Sequence, residues 1–203
     1  MDDILREILA RLEAAMLNGG RLLLVIDGRC GSGKTTLAQE FGCRCRCNVF
    51  HMDDYYLPTV QQTEERLAEP GGNIDFERFA AEVALPLMQG RDIICRPFAC
   101  SSQSYMEATL FRAAKINIIE GTYSCHPRLH PIYESAPDVN VVTLFLDIDS
   151  DIQLERIQKR VGEQRLQMFK EKWIPREEQY FDAYAVREYC DYRCMVTENI
   201  IDS

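Results

Sequence analysis

Long apolar stretches are missing from this sequence, and so is any run of basic residues. A bilayer-spanning helix needs about 20 consecutive apolar residues, and segments such as Val141 to Leu146, interrupted by Thr143, fall far short. The first residues, Met1-Asp2-Asp3-Ile4, are acidic where a secretory leader would be basic. The expectation is a cytoplasmic protein without a membrane partner. With 23 Lys and Arg against 32 Asp and Glu, the 203 residues carry a formal charge of −9. A surface of that sign repels phosphate backbones, so the expected partner is a small molecule and not a nucleic acid. Internal repeats and low-complexity tracts are also absent. The length suits one α/β domain over residues 1–203, with the oligomeric state, a homo-oligomer included, left open.

Cysteine departs from this sparseness. The nine cysteines, an odd number, read in a reducing compartment as small buried hydrophobes. Cys43-Arg44-Cys45-Arg46-Cys47 contains neither a Cys-x-x-Cys pair nor zinc-finger spacing, and alternation along an extended segment would point neighbours to opposite faces. The stretch is read as a loop, with a metal or redox site as the alternative.

The most informative segment is Gly28-Arg29-Cys30-Gly31-Ser32-Gly33-Lys34-Thr35, a complete Gly-x-x-x-x-Gly-Lys-[Ser/Thr] phosphate-binding loop. It follows the wholly apolar run Leu22 to Ile26, suited to a strand buried on both faces, and precedes Leu37, Ala38 and Phe41 at helical spacing. Glycines let consecutive N–H groups turn around a β-phosphate, and the helix beginning near Lys34 aims its positive end there. The Lys34 ammonium can reach the β and γ oxygens, and the Thr35 hydroxyl suits Mg²⁺. The expected ATP-binding set is Gly28, Gly31, Ser32, Gly33, Lys34, Thr35 and Thr36. No Asn-Lys-x-Asp segment is present to read guanine, which argues against a GTPase.

Periodicity and turn residues organise the rest. An amphipathic helix from Ile4 to Met16, capped by Asp2 or Asp3, leads into strand 22–27, helix 34–41 and a short strand at 48–51. A mobile loop is expected at 57–73, a helix at 76–88, a hairpin insertion at 92–107, and strands at 116–119 and 141–146. Helices 150–161 and 175–188 and a final strand at 194–196 follow, with a lid expected at 156–174. Strands alternating with helices around such a loop imply a doubly wound, mostly parallel sheet whose ligands bind at the carboxyl ends of the strands.

Acidic residues fall at those ends: Asp27, Asp53-Asp54, Glu120, and Asp147 with Asp149. Phosphoryl transfer to a hydroxyl needs Mg²⁺, positive charge on the moving group, and a carboxylate to take the acceptor's proton. Asp53, after a short strand expected beside the loop strand, is the candidate base, with Tyr55 and Tyr56 behind it to wall the acceptor site. Glu120, followed by Gly121, is the candidate carboxylate of the Mg²⁺ site. Asp147 and Asp149 are read as caps of helix 150–161. Arg156 and Arg160, four apart and before Gly162, share a helical face and suit a lid that neutralises transition-state charge. His51 is read as packing or a support to the site, and His126 and His130, beside Pro127 and Pro131, as surface loop.

The segments Ile26 to Thr36, Val49 to Tyr56, Pro70 to Asp75, Ile119 to Ser124 and Trp173-Ile174-Pro175 together resemble uridine kinase-like proteins. These belong to the P-loop nucleoside kinase family, which also contains phosphoribulokinase and bacterial pantothenate kinase. The resemblance runs from about Leu22 to Val196. It implies a P-loop NTPase-type α/β fold with a small β-hairpin insertion and a helical lid, and ATP with Mg²⁺ as cofactors. It further implies that Asp53 acts as base, that Asp75 binds sugar hydroxyls, and that Arg156 and Arg160 are the lid arginines. Where uridine-cytidine kinases hold the pyrimidine with a Tyr-Asp pair and a histidine, this chain offers Phe98-Ala99 and Gln103. Losing those hydrogen-bonding groups weakens the case for uridine as acceptor more than the case for transfer. The expected activity is phosphoryl transfer from ATP to a primary hydroxyl of a small molecule, foremost a nucleoside. The alternatives are a kinase of another hydroxyl metabolite, such as a sugar or a pantothenate-like compound, and a nucleotide-binding regulator without transfer.

Overall fold

The computed structural model of the protein describes residues 2–197. The Asp2 side chain, offered above as a helix cap, and Glu198 and Asn199 lie outside that description, and Asp3 sits inside the first helical turn, paired with Arg6. In chain order the first elements are α1 (Asp2–Asn18), β1 (Arg21–Gly28), α2 (Lys34–Arg44) and β2 (Cys47–His51). A 3₁₀ turn at Met52–Tyr55 leads to α3 (Glu64–Ala68), whose N-cap Thr63 accepts from the Arg66 amide. The segment expected as a mobile loop thus holds a short capped helix. α4 (Phe76–Phe79) and α5 (Leu85–Met88) are joined by a π-helical stretch, Ala80–Ala84.

The insertion comprises β3 (Ile93–Cys95), β4 (Phe98–Ala99), β5 (Ser104–Tyr105) and β6 (Thr109–Phe111), with β3 antiparallel to β6 and β4 to β5. It therefore extends past the 92–107 expected, because the outer pair Ile93↔Phe111 closes it. β7 (Ile116–Glu120), α6 (His130–Tyr133), β8 (Val139–Ile148) and α7 (Ser150–Val161) follow. α8 (Glu163–Met168), a π-helical segment Phe169–Trp173, α9 (Ile174–Ala183), α10 (Val186–Tyr189) and β9 (Tyr192–Val196) complete the described chain. The single helix expected at 175–188 is broken by Ala185, whose φ of 47° is left-handed.

The sheet has five parallel strands in the order β2-β7-β1-β8-β9. Strand β1 shows why both its faces are covered. Leu22, Leu24 and Ile26 point to the side of α1 and α2, where Ile8, Leu12, Leu37 and Phe41 bury them; Leu23 and Val25 point to the opposite core with Phe79, Val83, Tyr180 and Phe181. Alternation with period two across a wholly apolar strand makes two cores from one sequence run, each buried side chain contributing about 1.5–3 kcal/mol. The sequence reading sets β2 beside β1; in the structure β7 lies between them.

Candidate active site

At the end of β1, Gly28 adopts φ 136°, and a Cβ there would lie 2.1 Å from the Leu146 carbonyl oxygen on β8. Only glycine lets the chain leave the sheet this close to its neighbour. Gly31 (φ 78°) and Gly33 (φ 94°) then turn the loop, Gly33 serving as N-cap of α2. Lys34 is buried, its Nζ donating to the carbonyls of Gly28 at 2.8 Å and Arg29 at 2.9 Å. The Ser32 hydroxyl is buried with no partner, and among the described residues no acceptor takes the Gly31 or Gly33 amides. Unmatched donors at a helix N-terminus around a buried ammonium make a cradle for an anion.

The cradle opens into a cleft of about 320 Å³. Lys34, Thr35, Thr36, Asp53, Tyr56 and Glu120 line it together with Arg156, Arg160, Phe169 and Trp173. Glu120, at the end of β7, is 4% exposed and accepts from the Thr35 hydroxyl at 3.0 Å and faces His51 Nδ1 at 2.5 Å. That hydrogen bond favours protonated His51 and raises its pKa, as do the nearby carboxylates, while burial opposes. The pair of oxygens from Thr35 and Glu120 suits a hard divalent cation. Gly121 (φ 134°) lets β7 pass the Met52–Tyr55 turn, since a Cβ would stand 2.7 Å from that of Met52.

Asp53 leaves that turn and faces the open cleft. Desolvation by the surrounding walls raises its carboxyl, Lys34 pulls it down, Glu120 pushes it up and Arg160 again lowers it; the balance is a raised pKa, limited by the solvent on the open side. The other strand-end carboxylates do not line the cleft. Asp27 is fully buried and accepts from the amides of Gly28 (2.6 Å), Cys125 (2.8 Å) and Tyr123 (3.3 Å) and from the Tyr180 hydroxyl (2.8 Å), so it ties β1 to the segment after β7. Asp149 caps α7 through the Asp151 amide, as expected. Asp147 does not: β8 runs on to Ile148, and Asp147 pairs instead with Arg193 at 2.6 Å.

On the acceptor side the structure rearranges the expected set. Tyr55 is 2% exposed with its hydroxyl donating to Glu82 at 3.0 Å and its ring packed on Phe79; on the tight 3₁₀ turn it points into the core, and Tyr56 faces the cleft instead. Tyr56 and Trp173 face each other with ring centroids 5.8 Å apart. Asp75 is the N-cap of α4, accepting from the Arg78 amide at 3.0 Å and pairing with Arg78 Nε at 3.4 Å, outside the cleft. Phe98 is buried against Tyr105, and Gln103, at φ 51°, uses its amide on the Thr59 amide and the Cys100 carbonyl. Neither lines the cleft: Phe98 packs within the small antiparallel ribbon, and Gln103, in the turn between its strands, reaches out to Thr59.

Arg156 and Arg160 lie on the last turns of α7 and line the cleft together, Arg156 reaching the Gly31 carbonyl at 3.4 Å and Arg160 lying over the Phe169 ring at 5.8 Å. Sequence reasoning missed Thr122, Trp173 and Glu177 as cleft residues; Glu177 has no spacing signal linking it to the loop far upstream. It also misread His126, which is 3% exposed and stacked between Phe76 and Tyr180, not on a surface loop. Cys43 closes the last turn of α2, Cys45 is its buried C-cap and Cys47 opens β2, so the stretch is not one extended segment; burial raises Cys45 and pushes Cys47 up to about 11. No cluster of metal-ligating side chains occurs among the described residues, and no helix there is long and apolar enough to cross a membrane.

At the level of sequence, no family profile and no curated protein matches the chain. Solved structures do. A possible uridine kinase from Bacillus stearothermophilus aligns with a TM-score of 0.65 at 20% identity, over 95% of this chain and 99% of the other. A protein provisionally described as a fructose transport system kinase from Silicibacter sp. TM1040 aligns at 0.62 and 19% identity, over 92% and 98%. Shikimate kinase from Acinetobacter baumannii aligns at 0.50 and 15% identity, over 93% and 89%. This chain shares the α/β fold of the P-loop kinases: a five-stranded parallel sheet between helical layers, carrying a small antiparallel insertion.

Proposed function

We propose that this protein is an ATP-dependent kinase that transfers a phosphoryl group to a hydroxyl of a small molecule, with a nucleoside such as uridine or cytidine as the leading acceptor. The observation that carries this reading is the convergence of Lys34, Asp53, Arg156 and Arg160 on one cleft above a loop with unmatched amide donors. Gly28, Gly31, Ser32, Gly33, Lys34, Thr35 and Thr36 would hold the phosphates, and Thr35 with Glu120 would hold Mg²⁺. The cation, when bound, would neutralise charge on the phosphate oxygens. Lys34 and the two arginines supply fixed positive charge where negative charge is to be transferred, at no reorganisation cost. Asp53 accepts the proton of the attacking hydroxyl, and its place in the open cleft leaves it within reach of a substrate. The rings of Tyr56 and Trp173 border the acceptor and restrict water around it.

A second acceptor class is favoured by one observation. At the positions where the resemblance implies base recognition, Phe98 packs on Tyr105 within the insertion, and Gln103 spends its amide on the Cys100 carbonyl and the Thr59 amide, away from the cleft. That supports a hydroxyl metabolite other than a pyrimidine nucleoside, a sugar or a pantothenate-like compound. ADP release from Mg²⁺-ATP across nucleosides, sugars and pantothenate separates the readings, with Lys34→Ala as the blank. Stimulation by uridine or cytidine supports the nucleoside assignment, and stimulation by another compound the metabolite assignment. ATP binding with no stimulation by any acceptor would leave a nucleotide-binding regulator.

A further inference from the structure

Glu177 has no part in the transfer chemistry, yet it is a carboxylate only 3% exposed on the wall of the cleft. A buried charge is costly unless its oxygens are matched, and here they are. Oε2 accepts from the Cys30 amide at 2.9 Å, and Oε1 accepts from Gln153 Nε2 at 2.7 Å and from the Cys30 thiol at 3.4 Å. The same Gln153 nitrogen, on α7, donates to the Cys30 carbonyl at 3.0 Å. Both backbone polar groups of this loop residue are thus held from outside the loop, one by α9 and the other by α7. One residue earlier, Arg29 Nε donates to Glu178 at 2.7 Å, so consecutive residues of the loop are gripped by consecutive residues of α9. α9 follows directly on the Phe169–Trp173 segment that contributes two aromatic rings to the cleft.

A carboxylate beside an anion site opposes a phosphate by direct charge. What it supplies is an acceptor oxygen for a loop amide that would otherwise be left unmatched beside the cleft. Resting on the reading that the loop binds ATP, we propose that Glu177, with Gln153, is a positioning residue that sets the crest of the phosphate loop and joins it to the lid side of the cleft. Nucleotide affinity then depends on Glu177 although the residue transfers neither phosphate nor proton.

The test uses the full chain as Glu177→Gln, Glu177→Ala and Gln153→Ala, with three readouts. These are the MgATP dissociation constant by calorimetry, the thermal midpoint, and the rate of Cys30 alkylation by iodoacetamide without nucleotide, resolved by peptide mass. The thiol readout works because burial, with Glu177 alongside, pushes Cys30 up to about 12, and only the thiolate is alkylated. Glu177→Ala is expected to weaken MgATP binding about 10- to 100-fold, the range lost with a hydrogen bond to a charged group, and to speed Cys30 alkylation. Glu177→Gln keeps an oxygen for the Cys30 amide, so it should hold MgATP affinity within about threefold while still speeding alkylation. Should Glu177→Ala not fold, Gln153→Ala carries the same expectation of weakened binding. Folded variants that match the wild type in affinity and in Cys30 alkylation overturn the proposal, as does a Glu177→Gln protein that binds as weakly as Glu177→Ala. A wild type that does not bind MgATP sinks the kinase reading, while the alkylation pattern without nucleotide still decides whether Glu177 holds the loop.

Discussion

At Asp53 the surrounding groups pull the proton in opposite directions. The walls of the cleft withdraw water and raise the carboxyl, Glu120 and Asp54 add to that rise, and Lys34 and Arg160 oppose it. A carboxyl with a raised pKa is ionised only at higher pH than an ordinary carboxylate, and a base works only when ionised. Turnover should therefore fall as pH drops through this raised pKa, at higher pH than for an ordinary aspartate. Asp53→Asn is expected to lower turnover ~10²–10⁴-fold and to remove that acid limb, while MgATP affinity stays nearly unchanged. A pH–rate profile of the two proteins checks this, and equal rates would remove Asp53 from the role of base. Lys34, Thr35 and Asp53 were legible as residues because loop chemistry requires a lysine and a hydroxyl at set positions. Tyr55 and Tyr56 were not separable in the same way, since only the twist of the Met52–Tyr55 turn decides which ring faces the cleft.

Elements carry the next layer of cause. Arg156 and Arg160 share the last turns of α7 because they are four residues apart, and Gly162, at φ 78°, ends the helix behind them. With Arg160 pointed into the cleft over Phe169, Arg160→Ala should lower kcat ~10²–10³-fold and leave the nucleotide dissociation constant within a few-fold. Steady-state kinetics beside calorimetry distinguishes that from a binding arginine, for which both constants would change together. At the start of α4 the expectation differs. Asp75 receives the Arg78 amide as an N-cap, so Asp75→Ala should destabilise the fold by about 1 kcal/mol, read as a lower urea midpoint. An Asp75→Ala protein with unchanged stability and a raised acceptor KM would restore Asp75 to the sugar. The strand-loop-helix unit was readable because apolar runs and glycines act locally. The outer β3–β6 pairing was not, because three-residue strands with exposed Ile94 and Leu110 leave too little local alternation to follow.

The whole molecule decides the protonation of His126. Its Nδ1 accepts the Arg128 amide at 3.2 Å, which leaves Nε2 to donate to the Pro70 carbonyl at 3.1 Å, the tautomer of a neutral ring. Burial is the main cause that brings its pKa down to about 4, with Arg128, His130 and Arg66 adding to the fall and the Pro70 bond opposing it. The folded value lies below the unfolded one of about 6.5, so between these the unfolded chain binds more protons. Stability from this residue is complete above about pH 6.5 and declines by at most about 1.4 kcal/mol per unit as pH falls toward 4. Urea unfolding at pH 7 and pH 5 should show a lower midpoint at pH 5, and His126→Gln should reduce the difference between them. A difference of the same size in His126→Gln would place the titrating group elsewhere.

The phosphate loop and the apolar strand that leads into it are written in local sequence, and Lys34, Asp53, Glu120, Arg156 and Arg160 stand out there as candidate site residues. Those features depend on periodicity, on glycine's backbone freedom and on residue chemistry, all of which act over a few neighbours. The strand order that places β7 between β2 and β1, the inward turn of Tyr55, the capping role of Asp75 and the burial of His126 emerge from long-range packing. It alone brought Glu177 to Cys30. Each of those outcomes depends on contacts between segments distant along the chain, where packing and hydrogen-bond satisfaction select among arrangements that the local sequence allows equally.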